Sequence, residues 1–206
     1  HEVHILTKQQ PEDSSTNWAQ GGIAAILDKT NRDGIEAHIH DTITCGNGMC
    51  DENIVRLVVE EAGDRIRDLL SYGVSFQKED DAFALAKEGG HSQSRILHAK
   101  DATGKEIETA LMKAVKDHQN ISISPMNLVI DLIQSDHGKI EKGIAGVWCL
   151  NLHTGKVETH VADCVIIATG GAGQLWAQTT NPKVSTGDGL AMAVRAGASV
   201  KDMAFV

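Results

Sequence analysis

Apolar residues recur at helical spacing in three parts of the chain, and each part predicts an amphipathic helix. The first helix is expected to end near Gly46, with an inward face that repeats every four residues: Ile35, Ile39 and Ile43. The second is expected to begin after the capping residue Asp51 and to stop at Gly73. Its predicted inward face is Ile54, Leu57, Val58, Ile66, Leu69 and Leu70. The third covers residues 103–119, with one apolar side: Ile107, Ala110, Leu111, Ala114 and Val115.

Alternating and β-branched runs predict the strands. Residues 3–7 and 121–124 are short strands in this interpretation, and residues 74–85 form a strand pair or an irregular arm. Three longer runs predict an antiparallel meander: residues 127–134, 144–152 and 156–161.

Turn-like segments at 135–139 and 153–155 connect the three runs of the meander. The nearly continuous apolar run at 164–168 predicts a buried strand of a parallel central sheet. A short helix over residues 190–197 follows. The predicted fold class is therefore α/β, with a parallel central sheet and a three-stranded antiparallel meander.

Charge and composition restrict the function. The 206 residues include 19 Lys and Arg against 28 Asp and Glu, a net charge of −9. Such a surface repels nucleic acid and anionic membranes, so neither is expected as a partner. No apolar run reaches membrane-spanning length. Four cysteines without a CxxC pair predict free thiols in a reducing cytoplasm: Cys45, Cys50, Cys149 and Cys164.

A first candidate site is the segment 14–25, whose sequence is SSTNWAQGGIAA. Its small hydroxyl residues lie at a predicted helix start, where unpaired backbone N–H groups can bind a phosphate. The glycine pair that follows has no Cβ atoms, so its backbone can lie flat against a planar ring. An ordinary capped helix with two glycines is the alternative, and the segment alone does not decide between them.

Two later segments carry glycines at expected ligand-binding positions. Thr169, Gly170 and Gly171 directly follow the apolar run at 164–168, where sheets of this class bind nucleotides. A tight turn is the alternative. Asp188 lies between two glycines, so its carboxylate can accept hydrogen bonds from sugar hydroxyls; simple capping of the following helix is the alternative. Lys8 ends the first strand, where dinucleotide folds commonly carry an acid, and it can equally be a solvated surface lysine.

The stretch from Glu88 to His98 combines an acid, two imidazoles and a guanidinium around a glycine pair. Arg95 or a histidine suits a carboxylate of a dicarboxylate ligand, and Glu88 suits an amino group. A polar surface loop is the alternative. No second pair of ligands accompanies Glu88 and His91 at metal-binding spacing, so no metal is expected. His38 and His40 lie two residues apart, on different faces of their helix, and are expected to be packing or surface residues.

Taken together, these motifs resemble the L-aspartate oxidase family within the succinate dehydrogenase and fumarate reductase flavoprotein superfamily. The quoted matches are SSTNWAQGG at 14–22, ATGG at 168–171 after the meander, TTNP at 179–182, and EGGHS and RILHA between 88 and 99. Most respiratory members of the superfamily have, where Ser15 stands, a histidine bonded covalently to the flavin. The serine therefore implies a non-covalent, dissociable cofactor.

The resemblance implies roles for particular residues. Glu88 is the expected catalytic and substrate-recognising residue, and His91 and Arg95 are expected to bind substrate. The positions expected to contact FAD are Lys8, Ser15, Thr16, Asn17, Trp18, Ala19, Gln20, Gly21, Gly22, Leu128, Val129, Thr169, Gly170, Gly171 and Asp188. Leu128 and Val129 would offer backbone groups on the adenine side.

The activity implied is FAD-dependent oxidation of L-aspartate to iminoaspartate in the cytoplasm. Electrons pass to oxygen or fumarate, and the product enters NAD biosynthesis through quinolinate, with quinolinate synthase as a downstream partner. A soluble fumarate reductase or succinate dehydrogenase-type flavoprotein is the nearest alternative. A non-catalytic nucleotide-binding fragment and a plain structural or interaction domain are the others.

The resemblance also implies that residues 1–206 are a partial FAD-binding domain of glutathione-reductase-like fold, truncated at both ends. The first strand with its GxGxxG turn is expected upstream, and the capping and C-terminal helical domains are expected downstream. The fragment alone is expected to be inactive and poorly stable.

Overall fold

The computed structural model describes residues 1–99, 102–136 and 143–203. The chain divides into two units, one formed by residues 1–15 with 118–206 and the other by residues 16–117. Within the described ranges, no helix is both long and apolar enough to cross a bilayer.

The helices, in chain order, are α1 (Ser15–Trp18), α2 (Arg32–Gly46), α3 (Glu52–Ser71), α4 (Thr103–Lys116) and α5 (Asp188–Arg195). The strands are β1 (Val3–Leu6), β2 (Ile23–Ala24), β3 (Lys78–Glu79), β4 (Ala82–Phe83), β5 (Leu85–Ala86), β6 (Ile96–Leu97), β7 (Ile121–Ser124), β8 (Asn127–Gln134), β9 (Ile144–Asn151) and β10 (Lys156–Val161).

Helix α2 ends at Gly46, as predicted, and both α2 and α3 begin at a side-chain cap. The side chain of Asn31 accepts a hydrogen bond from the Gly34 N–H at the start of α2. Asp51 caps α3 as predicted, accepting from the N–H groups of Asn53 and Ile54. Ile35 of α2 is buried, as the four-residue repeat indicated.

The predicted inward face of α3 is wrong in its first half. Ile54, Leu57 and Val58 are 52–60% exposed. The buried face instead follows Val59 and Ile66 at helical spacing. Between them, Gly63 allows close approach to the Ile26 carbonyl, because an added Cβ would lie 2.7 Å from that oxygen. Contact with a neighbouring segment, and not apolar character alone, selected the face.

The second unit is built around a small antiparallel sheet with the order β2-β6-β5. The separate hairpin of β3 and β4 confirms the strand-pair alternative for residues 74–85. The core of the second unit contains five buried residues, which come from α3, from the sheet and from the segments that connect them: Ala25, Ile66, Val74, Phe76 and Leu97. Helix α4 confirms the third predicted helix and packs Ile107 and Ala110 against this core.

The first unit contains the predicted meander, in the order β10-β9-β8, and a parallel pair of β1 with β7. The predicted strands at 3–7 and 121–124 are confirmed. Residues 137–139 of the predicted turn lie outside the described residues. In the register of the meander, Leu128 is opposite Leu150 and Val129 is opposite Cys149, which is fully buried.

The prediction that residues 164–168 form a buried strand of a parallel central sheet is wrong. No strand is formed there, Cys164 is exposed, and Ile166 is 85% exposed. A strand needs a neighbour that accepts and donates its backbone hydrogen bonds, and none of the described residues provides one. Among the described residues, the parallel pairing is that of β1 with β7. The fold is α/β with one parallel and several antiparallel sheets.

All four cysteines lie within the described ranges and are free. This confirms the prediction of unpaired thiols. Cys149 is the buried member, and burial raises its pKa together with the nearby charge of Glu158.

Candidate functional site

Lys8 connects the end of β1 to the segment that precedes α5. Its Nζ donates hydrogen bonds to the Val184 carbonyl at 2.8 Å, to Thr186 Oγ1 at 2.5 Å and to Asp188 Oδ2 at 2.6 Å. The Lys8 side chain is 23% exposed. Lys8 is therefore the centre of an ordered ionic cluster and not a solvated surface lysine.

Asp188 is the first residue of α5, and the N-cap position belongs to Gly187. Its carboxylate accepts from Lys8 and also from Thr186 Oγ1 at 2.8 Å. Burial raises the pKa of Asp188, but the hydrogen bonds from Lys8 and Thr186 outweigh it and bring the pKa below its ordinary value. The side chain is 38% exposed. Asp188 therefore does not cap its helix, and it presents an ionised carboxylate held by two partners.

The glycine segment at 169–171 lies directly against the N-terminus of α5. The Gly187 N–H donates to the Gly171 carbonyl at 3.2 Å. Gly189 approaches so closely that an added Cβ would lie 1.9 Å from Thr169 Oγ1. Gly170 has a φ of 72°, which favours glycine, and nothing lies within 4 Å of a Cβ added there. Two segments that were predicted separately thus form one continuous surface.

Two further contacts bring other predicted residues to this part of the first unit. Ser15 Oγ lies 3.4 Å from Ser185 Oγ. The Asn127 N–H donates to the Thr7 carbonyl at 2.8 Å, so β8 begins beside the end of β1. These contacts involve five of the predicted positions in this unit: Lys8, Ser15, Thr169, Gly171 and Asp188. Gly170 lies between Thr169 and Gly171, and Leu128 and Val129 follow Asn127 in β8.

In the second unit, the start of α4 supports the loop that follows α1. The Gly104 N–H donates to the Ala19 carbonyl at 3.0 Å. A Cβ added to Gly104 would lie 1.9 Å from the Thr16 carbonyl oxygen, so only glycine permits this approach. No local sequence signal marks this role of Gly104, since the contact is with residues some 85 positions away.

The two glycines of this loop have different surroundings. A Cβ added to Gly22 would lie 2.4 Å from Ile96 Cγ2 and 2.5 Å from the Leu97 carbonyl, so Gly22 is packed against β6. A Cβ added to Gly21 would have no atom within 4 Å of it. The preceding residues Thr16, Trp18, Ala19 and Gln20 are exposed, and Asn17 is partly buried. Gly22 therefore has a packing role, while Gly21 offers accessible backbone.

Glu88 begins an exposed loop between β5 and β6. Its Oε1 lies 3.3 Å from His98 Nε2, and its side chain remains 47% exposed. The backbone of the loop is closed by a hydrogen bond from the His91 N–H to the Glu88 carbonyl at 3.2 Å. Glu88 is therefore an accessible carboxylate beside an imidazole.

Arg95 lies beneath this loop and is fully buried. Its Nη1 donates to Asp41 Oδ2 at 2.8 Å and to His91 Nδ1 at 3.0 Å, and its Nη2 donates to Ser92 Oγ at 3.3 Å. Asp41 also accepts from the Ser92 N–H and Oγ, both at 2.7 Å. These bonds from Ser92, and then the bond from Arg95, hold the pKa of Asp41 well below its usual range. No sequence signal marked Asp41, because its partners lie 51 and 54 residues away.

His38 is buried beside this network, with its ring centroid 5.6 Å from that of His91. Burial lowers the pKa of His38 from 6.5 to about 4, and the charge of Arg95 adds to the effect. His40 is exposed. The prediction that the two histidines lie on different faces, as packing and surface residues, is confirmed.

Comparison with known families identifies the class. The FAD binding domain family model matches residues 1–206, so this chain belongs to the FAD-binding domain family. Its cofactor is accordingly FAD.

Individual relatives of known name show which members of this family the chain is similar to. The chain is 45% identical over 205 residues to a chloroplastic L-aspartate oxidase of Arabidopsis thaliana, covering 99% of this chain and 31% of the relative. It is 41% identical over 210 residues to the L-aspartate oxidase of Vibrio cholerae, covering 98% of this chain and 39% of the relative. The chain thus spans roughly a third of the length of these relatives.

Solved structures similar to this chain include flavoproteins of fumarate reductase and succinate dehydrogenase. A quinol fumarate reductase of E. coli superposes with a TM-score of 0.86 at 28% identity, covering 94% of this chain and 32% of the other. The Sdh1 complex of Mycobacterium smegmatis superposes with a TM-score of 0.83 at 30% identity, covering 95% of this chain and 34% of the other. These matches confirm the predicted resemblance to L-aspartate oxidases and to the flavoproteins of succinate dehydrogenase and fumarate reductase.

The described residues fit FAD. Gly21, Gly170 and Gly171 have open space where a Cβ would lie, which leaves backbone accessible to a flat or polar ligand. Asp188 supplies a fixed, partly exposed acceptor suited to a sugar hydroxyl.

Proposed function

We propose that the whole protein is an L-aspartate oxidase, which converts L-aspartate to iminoaspartate and passes the electrons to oxygen or fumarate. The identity of 40–45% along nearly the whole chain to proteins of that name supports the reaction class. The bound FAD supplies the chemistry by accepting a hydride from the substrate carbon. The tasks of this chain are to hold the cofactor and to recognise the amino acid.

One observation carries the proposal: Glu88 is an exposed carboxylate on an ordered glycine loop, supported by His98. An ammonium group of an amino acid needs such an acceptor, and a charge-assisted hydrogen bond contributes about 1.5–3 kcal/mol. Succinate carries no ammonium group. Glu88 therefore provides discrimination for aspartate over a simple dicarboxylate.

The remaining substrate contacts are assigned to His91 and, through it, to Arg95. His91 is partly exposed on the same loop as Glu88, so its ring is accessible to a ligand. Arg95 is fully buried and donates to three side chains, which suits a supporting role. The two residues act together on one carboxylate of the substrate.

For the cofactor, we propose a glutathione-reductase-like domain in which Gly170 and Asp188 contact FAD. The backbone around Gln20 is a separate proposed FAD contact. Lys8, Leu128 and Val129 would lie on its adenosine side. Ser15 has no imidazole with which to form a covalent bond to the flavin. FAD is therefore held non-covalently and is released by acid precipitation of the protein.

The proposal places the protein in the cytoplasm, where unpaired cysteines are stable, and before quinolinate synthase in NAD formation. Residues 1–206 are proposed to be part of a larger FAD domain. The chloroplastic names of the plant relatives make fractionation of the source cells the relevant measurement of location.

The experiment compares flavin reduction by L-aspartate and by succinate in the full-length protein loaded with FAD, under anaerobic conditions. The expected result is rapid bleaching of the flavin by L-aspartate. Glu88→Gln is expected to raise KM for L-aspartate roughly tenfold to a hundredfold, with unchanged FAD content. Glu79→Gln, at another exposed glutamate, is the matched control.

The structural similarity to fumarate reductases supports a second candidate, a fumarate reductase or succinate dehydrogenase-type flavoprotein. Reduction of the flavin by succinate, without a response to L-aspartate, would establish that activity instead. A protein that binds FAD but responds to neither compound would be a non-catalytic nucleotide-binding domain.

A further inference from the structure

We propose that Asp41 and Arg95 are positioning residues that hold His91 with Nδ1 as a hydrogen-bond acceptor and with the ring proton on Nε2. In this arrangement the Nε2–H of His91 is the donor that the loop offers to a carboxylate of the substrate. The carboxylate part of the inference rests on the proposed function, whereas the tautomer does not.

The hydrogen-bond chemistry of Arg95 fixes the tautomer. A guanidinium has only donors, and its Nη1 lies 3.0 Å from His91 Nδ1. Nδ1 of His91 must therefore be the acceptor, so the single proton of a neutral ring is on Nε2. The two ring nitrogens consequently have different tasks: Nδ1 faces the protein interior, and Nε2 remains to donate.

Arg95 is itself held so that it has little freedom to leave His91. Its N–H donates to the Ala86 carbonyl at 3.1 Å, and its carbonyl accepts from the Ala25 N–H at 3.0 Å. The side chain is fully buried and compensated by Asp41, whose carboxylate is 13% exposed. Removing a charge from such a pair leaves the other uncompensated, which is costly. Arg95 is therefore unsuited to direct contact with a ligand.

Asp41 determines where this half of the loop lies. It accepts three hydrogen bonds, two from Ser92 and one from Arg95. Asp41 belongs to α2, which is anchored in the unit by Ile35 and Ile39 packed against α3. The position of α2 is thus transmitted to Ser92 and then to the adjacent His91. His98 supports the opposite end of the loop through Glu88.

The first test is the tautomer, measured by ¹⁵N NMR of the histidine rings in the full-length, FAD-loaded protein without substrate. The expected result is a His91 spectrum with Nδ1 unprotonated and Nε2 protonated. Arg95→Met, which has no donor for Nδ1, and Asp41→Asn are expected to give a mixture of tautomers, while Arg56→Lys, in a surface pair with Glu36, leaves the spectrum unchanged. A wild-type ring protonated on Nδ1, or an equal mixture, would overturn the proposal.

The second test separates the ring nitrogens by steady-state kinetics with L-aspartate. Glutamine places its amide nitrogen near the position of Nε2, whereas asparagine places it near Nδ1. His91→Asn is expected to raise KM about tenfold more than His91→Gln, with similar kcat for the two. The reverse order, or equal effects, would refute the donor role. If the wild type does not oxidise L-aspartate, the proposed function fails, and the NMR result still decides the tautomer.

Discussion

Acidification from pH 6.5 towards pH 4 is expected to destabilise the protein through the buried residue His38. Burial lowers its pKa to about 4, whereas an unfolded chain gives histidine its ordinary value of 6.5. Between pH 6.5 and pH 4, His38 is protonated in the unfolded state and remains unprotonated in the native state. The contribution of His38 to stability is therefore complete above pH 6.5 and is lost as the pH falls from 6.5 towards 4.

The size of the effect follows from the two pKa values. A difference of about 2.5 units at about 1.4 kcal/mol per unit gives roughly 3 kcal/mol of lost stability once the pH reaches 4. About 1.4 kcal/mol of this is lost by pH 5.5, one unit below the unfolded value. His38 is 7% exposed, so solvent screening reduces this figure little.

The assay is urea unfolding at pH 7.5 and pH 5.5, comparing the wild type with His38→Phe, which keeps an aromatic ring but cannot titrate. The free energy of unfolding of the variant, relative to the wild type, is expected to rise by about 1.4 kcal/mol on acidification. The exposed His40, on the same helix, provides the control: His40→Ala should show no such change. An identical pH dependence in the wild type and His38→Phe would refute the reasoning.

Other predictions concern the cofactor surface. Lys8→Met removes the cation that holds Asp188, and it is expected to weaken FAD binding roughly tenfold in a flavin-fluorescence titration; the exposed Lys183→Met is the control, and equal affinities would contradict the role. Gly104→Ala forces a Cβ onto the Thr16 carbonyl and should lower the free energy of unfolding by about 2 kcal/mol or more in urea. Gly21→Ala should leave that free energy within about 0.5 kcal/mol, since open space surrounds it, while weakening FAD binding. Equal stability of these two variants would refute the packing argument.

Local signals predicted the helices and the meander well because each depends on neighbours in sequence. Asp51 caps α3 through the N–H groups of the residues two and three positions later, and a short connection joins β9 to β10. Capping and hairpin formation are short-range interactions, so the residue types alone carry the information. The glycine and acid positions of the candidate site were recognised in the same way, from their order within motifs.

Two predictions were wrong, the inward face of α3 and the buried strand at 164–168. In both, burial depends on packing against distant parts of the chain, which local sequence patterns do not reveal. Ile54 and Val59 are equally apolar, yet only Val59 meets another helix. Ile166 has the composition of a buried strand and is exposed, because burial requires a packed neighbour and not only an apolar side chain. Asp41 carried no local signal at all.

The sequence by itself determined the class of the chain and most of its elements, since these follow from residue types at short spacing. Only the tertiary structure decided the surroundings of the candidate site residues. It made Lys8 the partner of Asp188, and it placed Arg95 beneath its loop, bonded to Asp41. Hydrogen bonding and burial are set by atoms that come together from distant parts of the chain, and they fix the charge, proton position and exposure on which chemistry depends.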